Sequence, residues 1–296
     1  MKMKGCQQFG GDWTEKKLKC LKKYLCAYTT ALKNQPFEKV YIDAFAGTGY
    51  RTRTADPTQF NDLFPEFSMA DVQGFLKGSA SIALEIEPKF DLYYFIEKDP
   101  NRFAELEELR EKYSHLKNVI YLINSEANQF LQEFCKGWVW NRRAVLFLDP
   151  YGMEVFWDTV EIIAKTEKID MWYLFPLGVA VNRLLKKDAQ ISDKCEYKLN
   201  KIFGTKRWKQ SFYNIIQEET LWGLDTRSIK TADFNDIIEF FLERLREIFP
   251  GVADNPLILY NTKNNPIYLF CFAASNKDGS KTAIKIAQDI LKGMAK

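Results

Sequence analysis

The sequence predicts an α/β fold, in which a doubly wound, mostly parallel sheet carries a terminal antiparallel hairpin and a helical insertion. Three apolar runs each end in an acid, and these acids are Asp43, Glu97 and Asp149. Continuous apolar runs are typical of parallel strands that are buried on both faces, and the carboxyl ends of such strands share one edge of the sheet. We therefore expect the three acids to line a single crevice.

The composition of the 296-residue chain fits one large domain, or a core with an insertion, because 46% of its residues are hydrophobic. The net charge of +3 does not by itself favour a class of partner. The apolar runs are too short to span a bilayer, and residues 1–14 lack the apolar stretch of a signal peptide. We therefore expect a cytoplasmic protein.

The cysteine and histidine content disfavours metal sites and hydrolase chemistry. The six cysteines form no CxxC pair, and His115 is the single histidine. Zinc sites of the usual spacing need such pairs, and Ser-His or Cys-His chemistry would depend on His115 alone. Because His115 lies in a polar run at the end of a predicted helix, we expect it to be solvated, and we expect no metal site.

The first predicted element is an amphipathic helix over residues 14–33, because Leu18, Leu21 and Leu25 follow helical spacing. Asp12 and Glu15 are spaced as a capping box. Strands and helices then alternate, as is typical of a parallel sheet. The predicted strands are 39–44, 92–96, 119–123, 144–148 and 171–175, and the helices between them are 78–86, with Ser79 as N-cap, 101–112, 128–134 and 155–164.

The alternation is interrupted twice. Residues 50–77 are polar and irregular, which indicates a loop or an insertion. Residues 178–230 contain no obvious buried strand and predict a helical insertion or lid, after which come a helix over 233–248, a hairpin of strands 257–260 and 267–272, and a helix over 279–293. The predicted organisation is an N-terminal helical extension (1–38), a Rossmann-like domain (39–177 and 231–296) and the insertion (178–230).

The turn after the first strand, Asp43-Ala44-Phe45-Ala46-Gly47-Thr48-Gly49, resembles motif I of class I S-adenosylmethionine-dependent methyltransferases. Glycines allow the backbone to approach a ligand closely. The resemblance implies a Rossmann-like methyltransferase fold and a cofactor site that contains Asp43, Ala44, Phe45, Gly47 and Gly49. A nicotinamide-dependent oxidoreductase is disfavoured, because the third glycine of G-x-G-x-x-G is missing and the terminal hairpin is unusual for that class.

Acids after the second and third strands are the expected partners of the nucleoside part of the cofactor. In class I methyltransferases, the acid after the second strand accepts hydrogen bonds from both ribose hydroxyls of the cofactor. The resemblance implies this role for Glu97, with Lys98 beside it. A carboxylate offers two acceptor oxygens and therefore suits a vicinal diol. Glu126 matches the position that reads the adenine amino group. Two alternatives stay open, namely that Glu97 is a solvated strand-end acid and that Glu126 caps a helix.

Asp149-Pro150-Tyr151-Gly152 stands where amino-methyltransferases carry Asp/Asn-Pro-Pro-Tyr/Phe. A carboxylate and a proline carbonyl can accept the two hydrogens of a base amino group, and an aromatic ring can stack on the base. The motif is closer to the Asp-Pro-Phe-Gly form of some tRNA guanine-N2 methyltransferases. We therefore predict a catalytic role for these four residues. The alternative is that Asp149 caps a helix and Tyr151 is a packing residue.

The segment 183–209 carries nine basic residues against three acids, with aromatic residues interleaved. Basic groups neutralise phosphates and aromatic rings stack on unpaired bases, which predicts a nucleic-acid surface. The alternative is a solvated face whose aromatic residues pack inward. The predicted nucleic-acid contacts are Arg51, Arg53, Lys198, Lys201, Lys206, Arg207 and Lys209.

Over residues 10–290 the chain resembles the three-Cys-motif partner protein family. The resemblance rests on Trp13-Thr14-Glu15-Lys16-Lys17-Leu18, the turn at 41–49, the motif at 147–153 and the strand at 170–176. It implies a methyltransferase-like fold and a genetic partner with a three-cysteine motif like that of radical-S-adenosylmethionine enzymes. Lys17 lies one turn into the helix that leads to the first strand, and we expect it to bind the cofactor carboxylate or an anionic substrate. A non-catalytic partner protein is the alternative to an enzyme.

Overall fold

The computed structural model describes residues 12–47, 78–220 and 223–295. The predicted loop at 50–77 and three predicted site residues, Gly49, Arg51 and Arg53, lie outside these ranges, as does the Asp12 side chain of the predicted capping box.

The described elements follow the predicted alternation closely. The strands are β1 (Glu38–Asp43), β2 (Leu92–Ile96), β3 (Ile120–Ile123), β4 (Arg142–Leu148), β5 (Ile169–Phe175), β6 (Tyr213–Thr220), β7 (Gly223–Lys230), β8 (Gly251–Val252), β9 (Leu257–Tyr260) and β10 (Pro266–Ala274). The α-helices are α1 (Asp12–Ala31), α2 (Ser79–Glu85), α3 (Pro100–Lys112), α4 (Ala127–Lys136), α5 (Trp157–Lys165), α6 (Asp193–Phe203), α7 (Trp208–Phe212), α8 (Phe234–Arg246) and α9 (Ser280–Lys292), together with the short turn Asn182–Leu184.

The central sheet has the strand order β3-β2-β1-β4-β5-β10-β8, and β9 pairs with β10. Strands β1 to β5 pair in parallel, and β10 is antiparallel to β5, β8 and β9. The fold class is therefore confirmed as a Rossmann-like methyltransferase sheet with a terminal antiparallel hairpin. The strand order reverses between β1 and β4, and open α/β sheets bind ligands outside the carboxyl ends of the strands at such a switch point.

Helices cover both faces of the sheet, because alternate strand residues point to opposite sides. Val40 and Ile42 of β1 belong to one buried apolar cluster, and Tyr41 belongs to the other. On the first face α8 packs against the sheet, where the rings of Phe175 and Phe241 stack at a centroid distance of 3.8 Å. Burying a large apolar side chain of this kind contributes about 1.5–3 kcal/mol.

Helix α1 packs against the second face, and its apolar side is the predicted one, since Leu18, Leu21 and Leu25 are buried. Near the middle of the helix, the Tyr24 hydroxyl donates to Oδ2 of Asp170, at the amino end of β5, over 2.8 Å. Burial raises the pKa of Asp170 to about 7. Asp170 lines a cavity of about 480 Å³ at this edge, which lies opposite the strand-end acids.

The insertion is helical only in its first part. The π-helix Leu177–Val181, α6 and α7 lie where helices were expected, but Tyr213–Thr220 and Gly223–Lys230 form a separate antiparallel two-stranded sheet. The prediction of helix across residues 213–230 was wrong. The sequence of residues 213–230 has no continuous apolar run of the kind that indicates a buried strand, because the hairpin lies outside the core. The 74% exposure of Ile215 indicates this position.

One smaller expectation differs from the structure, and one short strand was not predicted. Gly78, and not Ser79, is the N-cap of α2. The Ser79 hydroxyl is turned toward Asp43 instead, because a buried carboxylate competes for the same donor. The strand β8 is only two residues long, too short to give a periodic pattern in the sequence.

In the described ranges, no helix is both long and apolar enough to cross a membrane.

Candidate cofactor and acceptor site

The switch point brings the ends of β1 and β4 together. In the parallel register, Asp43 is opposite Phe147, so that Asp149 follows two residues beyond the pair. The glycine turn is tied to both neighbouring strands, since the Ala44 amide donates to the Phe147 carbonyl over 3.1 Å and the Ala46 amide donates to the Ile96 carbonyl over 2.9 Å. The ends of β2, β1 and β4 therefore lie side by side at one edge of the sheet, and the predicted crevice stays a prediction.

Asp43 is fully buried behind the glycine turn. Its Oδ2 accepts from the Ser79 hydroxyl at 2.5 Å and from the Tyr41 hydroxyl at 3.3 Å, and its Oδ1 accepts from the Phe45 amide at 3.3 Å. Burial raises the pKa of Asp43 to about 7, against the lowering effect of the Ser79 bond. Both oxygens are engaged by the protein, so Asp43 acts in this structure as a brace for the turn. Direct contact with a cofactor stays a prediction.

Lys17 and Asp149 form a partly buried ion pair. Lys17 is only 1% exposed, and its Nζ lies 2.5 Å from Asp149 Oδ2. The ammonium also lies 5.4 Å from the ring centroid of Trp13 and 6.0 Å from that of Phe147, within cation–π range. The structure thus connects Lys17, which was assigned to cofactor binding, directly to the first residue of the predicted catalytic motif.

The other oxygen of Asp149 is a buried acceptor that has no hydrogen-bond partner among the described residues. Leaving such an acceptor unpaired costs about 1–3 kcal/mol. Buried polar atoms without a partner are rare in folded proteins, and each needs an explanation. One explanation is that a ligand donates a hydrogen bond to the atom. A bound amino group would satisfy this oxygen, Oδ1, while Lys17 holds the opposite one.

Tyr151 faces the glycine turn. A Cβ built on Gly47 would lie 3.7 Å from the Tyr151 hydroxyl, in ordinary van der Waals contact. The Arg102 guanidinium lies over the Tyr151 ring, 4.6 Å from its centroid. Burial raises the pKa of Tyr151 well above its usual range. One face of the ring is therefore covered by Arg102, and the predicted stacking of Tyr151 on a base stays a prediction.

Glu97 lies at the end of β2 and is 6% exposed. Its Oε1 accepts from the Asp99 amide over 2.8 Å. Burial raises the pKa of Glu97, and the Asp99 bond and the charge of Arg102 oppose that effect. Because Glu97 is buried, the alternative of a solvated strand-end acid is disfavoured. Neighbouring Lys98 is exposed and pairs with Glu154 at 2.8 Å.

Glu126 caps a helix, as the alternative interpretation proposed. Its Oε2 accepts from the Gln129 amide at the start of α4, and its Oε1 accepts from Asn128. The same Asn128 amide group donates to the Glu154 carbonyl over 2.7 Å. This network joins the loops after β3 and β4. A cap can still face a ligand, and the adenine contact of Glu126 stays a prediction.

The basic segment of the insertion divides into paired and unpaired residues. Lys201 lies 3.4 Å from Asp158, Lys209 lies 2.6 Å from Glu196, and Arg207 pairs with Glu247. The aromatic residues of the segment lie mostly in the core, since Phe203, Trp208 and Phe212 are buried. These three rings therefore pack inward, as the alternative interpretation proposed. The nucleic-acid role of Lys206 and of the other basic residues stays a prediction.

Sequence reasoning missed three residues that shape this edge, namely Ser79, Arg102 and Asn128. Ser79 holds Asp43, Arg102 covers Tyr151, and Asn128 joins two strand-end loops. All three lie in the first turn of the helix that follows a strand. That position was the available signal, because such helices begin at the carboxyl edge of a parallel sheet.

The chain is similar to several solved structures, none with more than low identity. A Legionella pneumophila protein of the DUF519 family is 14% identical, with 97% of this chain and 94% of that one covered at a TM-score of 0.46. Magnesium protoporphyrin IX methyltransferase from Synechocystis, solved with bound SAM, is 12% identical, with 77% and 85% covered at a TM-score of 0.30.

A glycopeptide N-methyltransferase complexed with S-adenosyl-L-homocysteine is 7% identical, with 92% of this chain and 93% of that one covered at a TM-score of 0.31. No family model matches the chain. No curated protein matches it either. The methyltransferase-like fold therefore rests on the strand order and on the register of this chain's own sheet.

Proposed function

We propose that the protein is an S-adenosylmethionine-dependent methyltransferase that transfers the methyl group to an amino group of a nucleic-acid base. The observation that carries the proposal is the geometry of Asp149. Oδ2 is fixed by Lys17, and the buried Oδ1 has no partner among the described residues. An acceptor held in this way at the switch point suits an N–H donor of a ligand.

The residues present fit the cofactor. Glu97 is a buried acid with capacity to accept from a diol, and Gly47 leaves the turn without a Cβ beside Tyr151. Asp43 would hold the turn from behind, and Ala44, Phe45 and Gly47 would present it. Lys98 and Glu126 lie on the adjoining strand-end loops. When bound, S-adenosylmethionine supplies an activated methyl group on a sulfonium.

The chain's own contribution to transfer is orientation. Asp149 Oδ1 and the Pro150 carbonyl would accept the two hydrogens of the amino group and aim its nitrogen. Lys17 keeps the Asp149 carboxylate in place, so that Asp149 does not need to reorganise during the reaction. Positioning of this kind accounts for large rate effects without a strong base.

A second candidate function is a non-catalytic partner of a three-cysteine protein, which the resemblance to the three-Cys-motif partner family favours. In that reading, the strand-end acids and the insertion would bind a protein or hand over a nucleic acid, with no cofactor. The buried Glu97 and the glycine turn favour the enzyme, because a scaffold does not need a buried acid at the switch point.

Calorimetric titration with S-adenosylmethionine separates the two. We expect micromolar binding by the wild type, loss of binding in Glu97→Ala, and unchanged binding in Glu108→Gln, which removes an exposed acid of α3. If the wild type binds no S-adenosylmethionine, the enzyme hypothesis is wrong and the non-catalytic partner remains. Unchanged affinity in Glu97→Ala would remove Glu97 from the site.

A further inference from the structure

The insertion and the predicted catalytic motif border an open cavity of about 420 Å³. One wall is Gly152 and Met153, which directly follow Asp149-Pro150-Tyr151, and the other is formed by the insertion. Pockets of this size bind small organic ligands. Residues on the insertion side are Val179, Ala180, Arg183, Leu184, Lys186 and Lys198.

The lining combines an apolar wall with a basic rim. Met153, Val179 and Leu184 are apolar, and every charged residue in the described lining is basic. A nucleotide has the matching chemistry, since its base presents an apolar face and its phosphates carry negative charge.

Two lysines of the rim differ from three other basic residues of the segment in having no acidic partner among the described residues. Lys201, Arg207 and Lys209 are paired with acids of the same protein. In the part of the chain that the structure describes, Lys186 and Lys198 are exposed and form no ion pair, and both line the cavity. The positive charge of Lys186 and Lys198 at the cavity is therefore not neutralised by an ion pair within the described protein.

We propose that this cavity receives the nucleotide that carries the acceptor base, with the base against Met153 and Val179 and its flanking phosphates at Lys186 and Lys198. The proposal rests on the proposed function and makes the insertion its substrate-recognition element. A base enters such a pocket only when it is out of a stack, so the ligand is a single-stranded or flipped-out nucleotide.

Fluorescence anisotropy with a short labelled single-stranded RNA, and with the DNA of the same sequence, tests the proposal on the full chain. We expect Lys186→Glu/Lys198→Glu to weaken binding by about tenfold or more and to flatten its salt dependence. Lys194→Glu is the matched control, because Lys194 is exposed on α6 and does not line the cavity. Whichever nucleic acid binds more tightly identifies its source.

A second variant blocks the cavity without touching a charge. A Cβ built on Gly152 meets nothing within 4 Å, so Gly152→Leu projects into the cavity without a clash at that atom. We expect it to weaken nucleic-acid binding and to retain the thermal unfolding midpoint of the wild type.

Equal weakening by Lys194→Glu, or no weakening by the double variant and by Gly152→Leu, would overturn the proposal. So would a wild type that binds no nucleic acid. Calorimetry on the same samples distinguishes the two failures. Intact cofactor binding with no effect at the cavity removes only the nucleotide site, whereas absent cofactor binding removes the proposed function.

Discussion

Lys17 Nζ lies 2.5 Å from Asp149 Oδ2, although 132 residues separate the two in the chain. The pair joins the first helix to the loop after β4, and Lys17 is almost completely buried. Desolvating two charges is costly, and the cost is offset only while both partners are present.

Removing the cation alone should therefore destabilise the protein. We expect Lys17→Met to lower the free energy of unfolding by about 3–5 kcal/mol, because an uncompensated carboxylate remains. Urea unfolding measures the effect. Lys19→Met, on the exposed side of α1, is the control and should be close to neutral. In Lys17→Met/Asp149→Asn much of the loss should be recovered, and additive losses would show that the pair is not coupled.

Asp149→Ala should abolish methyl transfer and spare cofactor binding, since the variant loses the acceptor oxygens at the amino group but not the turn or Glu97. We expect the rate of transfer to fall by about a hundredfold or more, with S-adenosylmethionine affinity within about twofold of the wild type. Single-turnover assays with labelled cofactor measure the rate. Full turnover by Asp149→Ala would contradict its assigned role.

Stability should decline as pH rises through the acidic range because of Asp170. Burial raises its pKa to about 7 in the folded state, from an ordinary value near 3.8. Between these values the folded protein holds a proton that the unfolded chain has lost, so the free energy of unfolding falls from about pH 4 to about pH 7. Asp43 adds a contribution of the same sign.

Asp170→Asn should flatten this decline and keep an acceptor for the Tyr24 hydroxyl. Urea midpoints measured at several pH values across the range check it. Glu108→Gln, which changes an exposed acid, should leave the wild-type slope. The same slope in Asp170→Asn as in the wild type would show that Asp170 ionises normally.

Gly178 and Gly152 should differ in their response to alanine. A Cβ on Gly178 would overlap the Pro266 carbonyl oxygen, which is backbone and cannot give way cheaply, whereas a Cβ on Gly152 meets nothing within 4 Å. We expect Gly178→Ala to cost about 1–3 kcal/mol of stability, from the shift that it forces, and Gly152→Ala to be nearly neutral. Differential scanning calorimetry compares them, and equal midpoints would contradict the packing described here.

Periodicity was sufficient for most of the fold. Strands such as β2 (Leu92–Ile96) and β9 (Leu257–Tyr260) have the predicted bounds, because buried apolar runs and turn residues delimit them. The hairpin of β6 and β7 was not predicted, because an exposed pair of strands buries too little apolar surface to need a continuous apolar run.

The placement of the candidate site residues could be predicted in part, whereas their roles stay predictions. Asp43, Glu97 and Asp149 could be inferred from where strands end, because topology alone brings those ends together. The bond of Ser79 to Asp43 and the position of Arg102 over Tyr151 could not, because each depends on side-chain direction across segments distant in sequence. Lys17 sits among other lysines on the helix, and only the packing shows that it alone of these is buried.

Gly178, the first residue of the insertion, lies against Pro266. A change in the hairpin turn at residues 261–265 would therefore be transmitted to the insertion. Asn261 closes that turn, with its Oδ1 accepting from the amides of Lys263 and Asn265, and Pro266 follows at once. Because Gly178 adjoins Val179 in the cavity wall, lengthening or shortening the turn would shift the wall while leaving the strand-end acids in place. Under the proposed function, this remote loop would therefore influence which acceptor the cavity receives.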